Sequence, residues 1–311
     1  MKLYVVEGMC FLLKISVFLE LVEIKAKVAS VAPFLLGLFY SIFAYHHTNP
    51  LLAIVFFIAM FLYNMVVDML DNYSDYYRAD SKSYQQNTNI IGREHIDPKL
   101  VRNLMWAFTI ISALLGLWLV NQAGLAVLWL GLFCFAIGYL YSSGPLPISN
   151  LPLGEFFSGF TMGFVIVFLS VYLNSYQVFV WNWASVLNIF LLALPLELWI
   201  SNLLLANNIC DAQEDEDNHR KTIIHFIGKK AGLAAYTIKN IVIFIVLMLL
   251  PLLQVAPKSV WLTIFLVPFV YQQNKILVAK QVKTETFITA VKTLLMGSLI
   301  YIVTFLIGIL L

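Results

Sequence analysis

The chain has 311 residues, of which 61% are hydrophobic, 15% aromatic and 12% charged, and its net charge is +2. Soluble domains are about 45–50% apolar and about 25% charged, so this composition excludes a soluble enzyme and a disordered chain. The small net charge provides no basic field for a polyanion, and we therefore expect no nucleic-acid partner. The three cysteines (Cys10, Cys134 and Cys210) have neither disulfide nor zinc-site spacing.

The apolar runs predict nine membrane spans after a short amphipathic segment. Residues 15–27 have the pattern of a helix at the membrane interface, so we expect 1–27 to be an interfacial segment before one membrane domain, 28–311. A spanning helix needs about 20 apolar residues. In chain order, spans 1 to 9 are expected at about 28–45, 51–70, 101–120, 125–142, 153–173, 184–207, 233–254, 259–272 and 288–311. The sequence predicts an all-α, polytopic membrane protein.

The positions of lysine and arginine predict how the spans are oriented. Of the 19 basic residues, all except Lys258 lie before span 1, or in or next to the loops that follow spans 2, 6 and 8. Cytoplasmic loops are enriched in Lys and Arg, so these loops and the N-terminus are expected in the cytoplasm. We therefore expect a multi-pass protein of a cell membrane, with its C-terminus outside.

Two polar clusters share one spacing, and both lie where a span ends on the predicted cytoplasmic side. The first acidic motif, at the end of span 2, consists of Asn64, Asp68, Asp71, Asn72 and Asp75. The second acidic motif, at the end of span 6, consists of Asn207, Asn208, Asp211 and Asp215. Each contains three polar residues spaced i, i+3, i+7, which places them on one face of a helix. The repeated pattern predicts two copies that face a central cavity open to the cytoplasm.

Facing carboxylates of this kind favour a divalent cation. Mg²⁺ prefers oxygen ligands and usually binds through one or two carboxylates together with substrate phosphates. Basic side chains beside the motifs would bind the remaining phosphate oxygens. Together with Asn64, Asn207 and Asn208, we expect the diphosphate-binding residues to be Arg78, Lys82, Arg93, Arg220 and Lys221. This chemistry suits a diphosphate leaving group.

Two other interpretations of the charges remain open at this stage. Charged residues at span ends are often solvated loop, and Glu214, Glu216, Asp217 and Asp80 fit that description. An ion-coupled carrier also uses intramembrane carboxylates, but it places them near the bilayer midplane. Glu197 lies within span 6 and is either a functional or a hydrogen-bonded structural carboxyl.

The two motifs resemble those of the UbiA superfamily of membrane aromatic prenyltransferases, which have the forms N-x-x-N-D-x-x-D and D-x-x-x-D. Asp211-x-x-x-Asp215 fits the second form directly, whereas the first motif has Asp and Asn exchanged at several positions. The sequence is most similar to the menaquinone-pathway branch that prenylates 1,4-dihydroxy-2-naphthoate. The segments that carry this likeness are 18–25 (FLELVEIK), 32–37 (APFLLG), 141–147 (YSSGPLP), 153–155 (LGE) and 207–211 (NNICD). Cys210 and His219 depart from that branch, which has Arg and Gly there.

The resemblance implies a nine-helix fold and a Mg²⁺-dependent transfer of a polyprenyl group from its diphosphate. It implies 1,4-dihydroxy-2-naphthoate as the acceptor, with loss of CO₂ and formation of a demethylmenaquinone in a bacterial cell membrane. Another aromatic acid, such as 4-hydroxybenzoate, remains open as the acceptor. No obligatory protein partner is implied. The implied catalytic and metal-binding residues are Asp68, Asp71, Asp75, Asp211 and Asp215, with Asn72 as a further metal ligand.

Overall fold

The structure, a computed structural model, describes residues 13–79, 82–217 and 220–311, so His219, Asp80 and the first part of the N-terminal segment lie outside it. The described residues are helical and contain no strand. They include nine helices long and apolar enough to cross a membrane, as predicted. Spans 1 to 9 are Ile24–Tyr45, Pro50–Arg78, Pro98–Ala123, Leu125–Ser142, Gly154–Ser175, Trp183–Cys210, Ile223–Leu252, Lys258–Ala279 and Ile288–Leu310.

The segment before span 1 is not one continuous helix over 15–27. An α-helix covers Ile15–Leu21, and a 3₁₀ turn over Ile24–Lys27 leads into span 1. Between them, Glu23 has the left-handed backbone angles φ 47° and ψ 51°. Leu21 and Val22 are fully buried in a cluster with residues of span 2 and of the loop after it, and this packing fixes the bend. Its location at the membrane interface stays a prediction.

Three spans depart from regular α-helix. Span 5 contains a π-helical stretch over Gly159–Val165, and span 8 begins with a 3₁₀ stretch over Lys258–Leu266. Span 7 covers Ile223–Leu252 rather than beginning at 233, but Gly228, with φ 76° and ψ 161°, is not helical and separates a short helix at the start from the long helix that follows. The hydropathy pattern does not predict residues 223–232 as part of the span, because Lys229 and Lys230 directly follow Gly228.

The buried core lies around spans 5 and 6. The share of buried residues is 61% in span 5 and 67% in span 6, against 17% in spans 3 and 4, so spans 3 and 4 face outward. Hydrogen bonds between spans hold the core in register. Ser170 donates to the carbonyl of Phe34 over 2.8 Å, and Tyr301 donates to the carbonyl of Leu192 over 2.9 Å.

The loops that follow spans 2, 4, 6 and 8 gather at one end of the bundle, beside both acidic motifs. In the loop after span 2, Asn89 donates to the Asn72 carbonyl over 2.9 Å. In the loop after span 4, Asn150 accepts a 2.9 Å bond from the side chain of Arg220 and a 3.0 Å bond from the backbone of Lys221. These bonds bring the surroundings of the two motifs together.

Candidate active site

A cavity of about 550 Å³ connects the first acidic motif with the apolar interior of the bundle. At its polar end it is lined by Glu23, Lys27, Asn64, Asp68 and Asp71. Further in, its walls include Phe56, Leu119, Val127 and Leu169. Phe56 and Asp71 both belong to span 2 and are fifteen positions apart, which corresponds to about 22 Å along a helix. The cavity is therefore a long apolar space with a charged mouth.

The side chains of the first motif that face the cavity have partners from other parts of the chain. The Lys27 ammonium, 3% exposed, donates to an Asp68 carboxylate oxygen and to the Asn64 carbonyl. Ser142, at the end of span 4, donates to Asp71 over 2.6 Å. A buried ammonium needs such a partner, since an unpaired charge in an apolar surrounding costs several kcal/mol.

The other two members of the first motif do not line the cavity. The Asn72 amide nitrogen donates to the carbonyls of Leu21 and Asp68 over 3.3 and 3.1 Å, so it fixes the bend before span 1. The phenol of Tyr84 donates to Asp75 over 3.5 Å. Burial and the neighbouring carboxylates, Asp75 first, raise the pKa of Tyr84 to about 12, so it stays a neutral donor at physiological pH. The assignment of Asn72 as a metal ligand stays a prediction.

The second motif has a cation partner from a distant loop. Lys283, in the loop between spans 8 and 9, donates to the side-chain oxygens of Asn207 and Asp211. Asn207 also donates to Asp211 over 3.0 Å. Asn208 donates to Glu155, the buried carboxylate at the start of span 5, over 2.8 Å. Because the amide nitrogen of Asn208 is directed at Glu155, the amide oxygen of Asn208 points away from Glu155.

Arg220 lies between the two motifs. Its guanidinium is 3.6 Å from Asp215, which also accepts a 3.4 Å bond from Thr222. Arg220 is also within electrostatic range of Asp75 in the first motif. Burial raises the pKa of the Asp215 carboxyl, and the Arg220 charge opposes that shift. Arg220 therefore connects Asp215 of the second motif with Asp75 of the first. No residue of the second motif is part of the cavity lining, so a shared site for the two motifs stays a prediction.

The remaining basic candidates lie in different surroundings. Arg78 donates to the carbonyls of Ser142 and Gly144, so it fixes the loop after span 4. Arg93 pairs with Glu20 over 2.6 Å and with Glu94 over 3.1 Å, and these bonds raise its pKa. Lys82 and Lys221 are exposed. Arg78 and Arg93 are therefore held by other protein groups and are not themselves part of the cavity lining. Diphosphate contact by these four residues stays a prediction.

Four residues of this region were not singled out as site residues by sequence: Glu23, Lys27, Ser142 and Lys283. The two lysines were used to predict the orientation of the spans. Their positions in the sequence give no indication that they contact the acidic motifs. Lys27 is 41 residues from Asp68, and Lys283 is 72 residues from Asp211. Only the fold brings them together.

The residues present suit a magnesium ion that arrives with substrate phosphates. Within the described ranges, no three His, Cys, Asp or Glu side chains come close enough to form a metal site by themselves. Carboxylate and amide oxygens from two spans are hard ligands, and Mg²⁺ takes one or two carboxylates and completes its shell with waters and phosphate oxygens. The donor set therefore fits the ion.

A model of the UbiA prenyltransferase family matches residues 30–299. The chain belongs to this family. With nine apolar helices among the residues that the structure describes, it is a multi-pass membrane protein. It is 31% identical over 205 residues to the 1,4-dihydroxy-2-naphthoate octaprenyltransferase of Bacillus subtilis (strain 168), and the match covers 66% of this chain and 63% of that relative. The match thus spans less than two thirds of the relative's length.

Solved structures of other UbiA proteins share the fold. A UbiA homologue from Aeropyrum pernix K1 has a TM-score of 0.70 at 17% identity, covering 91% of this chain and 98% of that one. A UbiA homologue from Archaeoglobus fulgidus, bound to GPP and Mg²⁺, has a TM-score of 0.64 at 12% identity, and the match covers 95% of this chain and 100% of that one. A digeranylgeranylglyceryl phosphate synthase has a TM-score of 0.65 at 18% identity, covering 95% and 98%. Because the sequence identities are only 12–18%, these matches show that the fold is shared and nothing more.

Proposed function

We propose that this UbiA protein transfers a polyprenyl group from polyprenyl diphosphate to an aromatic acceptor in a Mg²⁺-dependent reaction. The observation that carries the proposal is the cavity, which joins a mouth of carboxylates and cations to an apolar interior and extends about 22 Å from Asp71 to Phe56. A polyprenyl diphosphate has the same division, with a charged head and a long hydrocarbon tail.

The chain's own cations would hold the diphosphate. Lys27, Lys283 and Arg220 lie beside the carboxylates of the two motifs, and each can turn from a carboxylate to a phosphate oxygen. When bound, Mg²⁺ would supply electrostatic stabilisation of the charge that develops on the leaving diphosphate. The residues that would hold it are Asp68, Asp71, Asp75, Asp211 and Asp215.

The apolar interior would bind the tail and exclude water from an allylic cation. Phe56, Leu119 and Val127 are buried side chains in its wall and offer no nucleophile. Without water nearby, the electron-rich ring is the nucleophile that reaches the cation. The C–O bond breaks first, with its electron pair leaving on the diphosphate, and the new C–C bond then forms between the allylic cation and the ring.

The acceptor we propose is 1,4-dihydroxy-2-naphthoate. Its carboxyl group would leave as CO₂ and a proton while the prenyl group bonds to the ring, which gives the hydroquinone form of a demethylmenaquinone. The 31% identity to the B. subtilis 1,4-dihydroxy-2-naphthoate octaprenyltransferase supports this choice. We further propose that residues 28–311 form one membrane domain of a bacterial cell membrane, with the cavity mouth facing the cytoplasm. The clustering of Lys and Arg at that end of the bundle supports the orientation.

The test is a reconstituted assay. Purified protein is incubated with Mg²⁺, polyprenyl diphosphates of several lengths, and either 1,4-dihydroxy-2-naphthoate or 4-hydroxybenzoate, and released diphosphate and prenylated product are measured. We expect product with the naphthoate and none after chelation of Mg²⁺. Asp71→Ala and Asp211→Ala should each abolish turnover, whereas Glu216→Ala, at an exposed position, should not. Absence of product with every acceptor would overturn the proposal, and ion-driven uptake into liposomes would favour a carrier.

A further inference from the structure

Glu23 holds a strained backbone conformation at the mouth of the cavity. Its φ of 47° and ψ of 51° lie in the left-handed region, which side chains other than glycine and asparagine seldom adopt. Burial of Leu21 and Val22 and the bond from Asn72 to the Leu21 carbonyl hold the bend in place. The bend places the Glu23 side chain in the cavity lining. Strain of this kind persists where the surrounding structure requires it, and it concentrates at functional sites.

The carboxylate of Glu23 differs from those of the two motifs. Each motif carboxylate is bonded to a chain partner, in the pairs Lys27–Asp68, Ser142–Asp71, Tyr84–Asp75, Lys283–Asp211 and Arg220–Asp215. The Glu23 carboxylate has neither an ion pair nor a hydrogen bond with any residue in 13–79, 82–217 or 220–311. It is an acceptor available to a ligand that enters the cavity.

Three charged groups lie within electrostatic range of Glu23: Asp71 on span 2, Lys27 in the turn that Glu23 begins, and Lys283 in the loop between spans 8 and 9. Glu23 keeps exposed surface at the mouth. Desolvation by the surrounding protein and then Asp71 raise the pKa of Glu23, and the two lysines oppose this shift. A carboxylate in the field of Asp71 is poorly placed to approach the negative diphosphate. It is better placed to accept a hydrogen bond from a neutral hydroxyl group.

We propose that Glu23 accepts a hydrogen bond from a ring hydroxyl of the aromatic acceptor and so selects hydroxylated rings. The inference rests on the proposed function and adds a residue that holds the acceptor. Glu23 lines the polar end of the cavity, so a ring bound there lies beside the head end of the prenyl chain. A hydrogen bond from a phenol to a carboxylate increases electron density on the ring, which favours attack on an allylic cation. No atom is transferred to Glu23 in this role.

The experiment compares two Glu23 variants with a matched control. Glu23→Gln keeps the shape and removes the charge. Glu23→Gly removes the side chain and suits the left-handed backbone, so folding is preserved. Glu20→Gln is the control, because Glu20 belongs to the same segment but pairs with Arg93 and does not line the cavity. The acceptors are 1,4-dihydroxy-2-naphthoate and its dimethoxy analogue, which lacks the hydroxyl donors.

We expect Glu23→Gly to lower kcat/KM for the dihydroxy acceptor by about 10- to 100-fold, the usual effect of a lost hydrogen bond to a charged group. Glu23→Gln should have a smaller effect. The KM for polyprenyl diphosphate should stay within about twofold, because Glu23 holds the ring rather than the phosphates. The preference of the wild type for the dihydroxy over the dimethoxy acceptor should largely disappear in Glu23→Gly, and the control should match the wild type.

Equilibrium binding of each acceptor in the absence of prenyl diphosphate, followed by intrinsic fluorescence, tests the inference separately. Weaker binding of only the dihydroxy compound to Glu23→Gly supports it. Unchanged binding and unchanged preference in an active Glu23→Gly variant overturns it and leaves the proposed function standing. A wild type that forms no product with any acceptor overturns the proposed function, while the binding comparison still decides the role of Glu23.

Discussion

Lys283 binds Asp211 across 72 residues of chain, from the loop between spans 8 and 9 to the end of span 6. It also binds Asn207 and lies 4.9 Å from the ring centre of Phe287. One flexible side chain therefore connects the last loop of the bundle to the second acidic motif. Because the lysine is 43% exposed, it can leave the carboxylate for another anion with little rearrangement.

We predict that Lys283→Ala weakens binding of the prenyl diphosphate. A charge-assisted hydrogen bond contributes about 1.5–3 kcal/mol, and partial exposure reduces this, so KM should rise about tenfold. The measurement is KM for polyprenyl diphosphate at saturating acceptor. Lys280→Ala is the control, because Lys280 is exposed and pairs with Glu285 instead. Equal values of KM in both variants and the wild type would contradict the prediction.

Glu155 should act through Asn208. The 2.8 Å bond from the Asn208 amide to Glu155 fixes which end of that amide faces the second motif. We predict that Glu155→Leu lets Asn208 rotate and raises the KM for polyprenyl diphosphate, whereas Glu155→Gln, which keeps an acceptor oxygen, has a smaller effect. A measurement of this KM for the three proteins checks the order. If Glu155→Gln is impaired as strongly as Glu155→Leu, the charge of Glu155 matters rather than the bond.

Gly163 allows spans 5 and 6 to approach closely. A Cβ at Gly163 would lie 2.4 Å from the Cα of Glu197, and a helix backbone cannot move aside for it at low cost. We predict that Gly163→Ala destabilises the protein by about 1–3 kcal/mol, the usual range for overpacking. Thermal unfolding in detergent is the measurement. Gly116→Ala, where the added Cβ meets no atom within 4 Å, should leave the melting temperature unchanged or slightly higher.

The orientation in the membrane can be tested by cysteine labelling. In a variant with Cys10, Cys134 and Cys210 replaced by serine, we expect a membrane-impermeant maleimide added to intact cells to label Lys258→Cys. Glu216→Cys should be labelled only after the membrane is opened. The reverse pattern would place the cavity mouth outside.

The sequence predicted the number of spans correctly because hydropathy reports the length of apolar runs directly. It predicted span ends less well where local geometry overrides composition. Span 7 extends back to Ile223 because a short helix precedes the break at Gly228, and the long helix after the break begins with two lysines that resemble a loop. The π-helical part of span 5 was not foreseen, since it depends on how Gly159 and Gly163 pack on Glu197, a contact between different spans.

The two acidic motifs could be found by their spacing because each lies within one helix, where spacing determines the face. Their partners could not be found in this way. The pairing of Asp68 with Lys27 and of Asp71 with Ser142 joins separate spans, and no periodicity extends across the connecting loops. Glu23 was missed for the same reason, since its direction depends on a bend held by Leu21 and Asn72.

The pairing of motif carboxylates with lysines and arginine has a consequence for biogenesis. Since Lys27 offsets Asp68, Lys283 offsets Asp211 and Arg220 offsets Asp215, these charges are largely balanced by the chain itself. The helices can then assemble in lipid without recruiting an external cation to compensate the aspartates. The same lysines and arginine are also the groups that a diphosphate would bind. When it enters, the diphosphate would take the place of the aspartate carboxylates as their anionic partner, and no unpaired cation would be created within the bilayer.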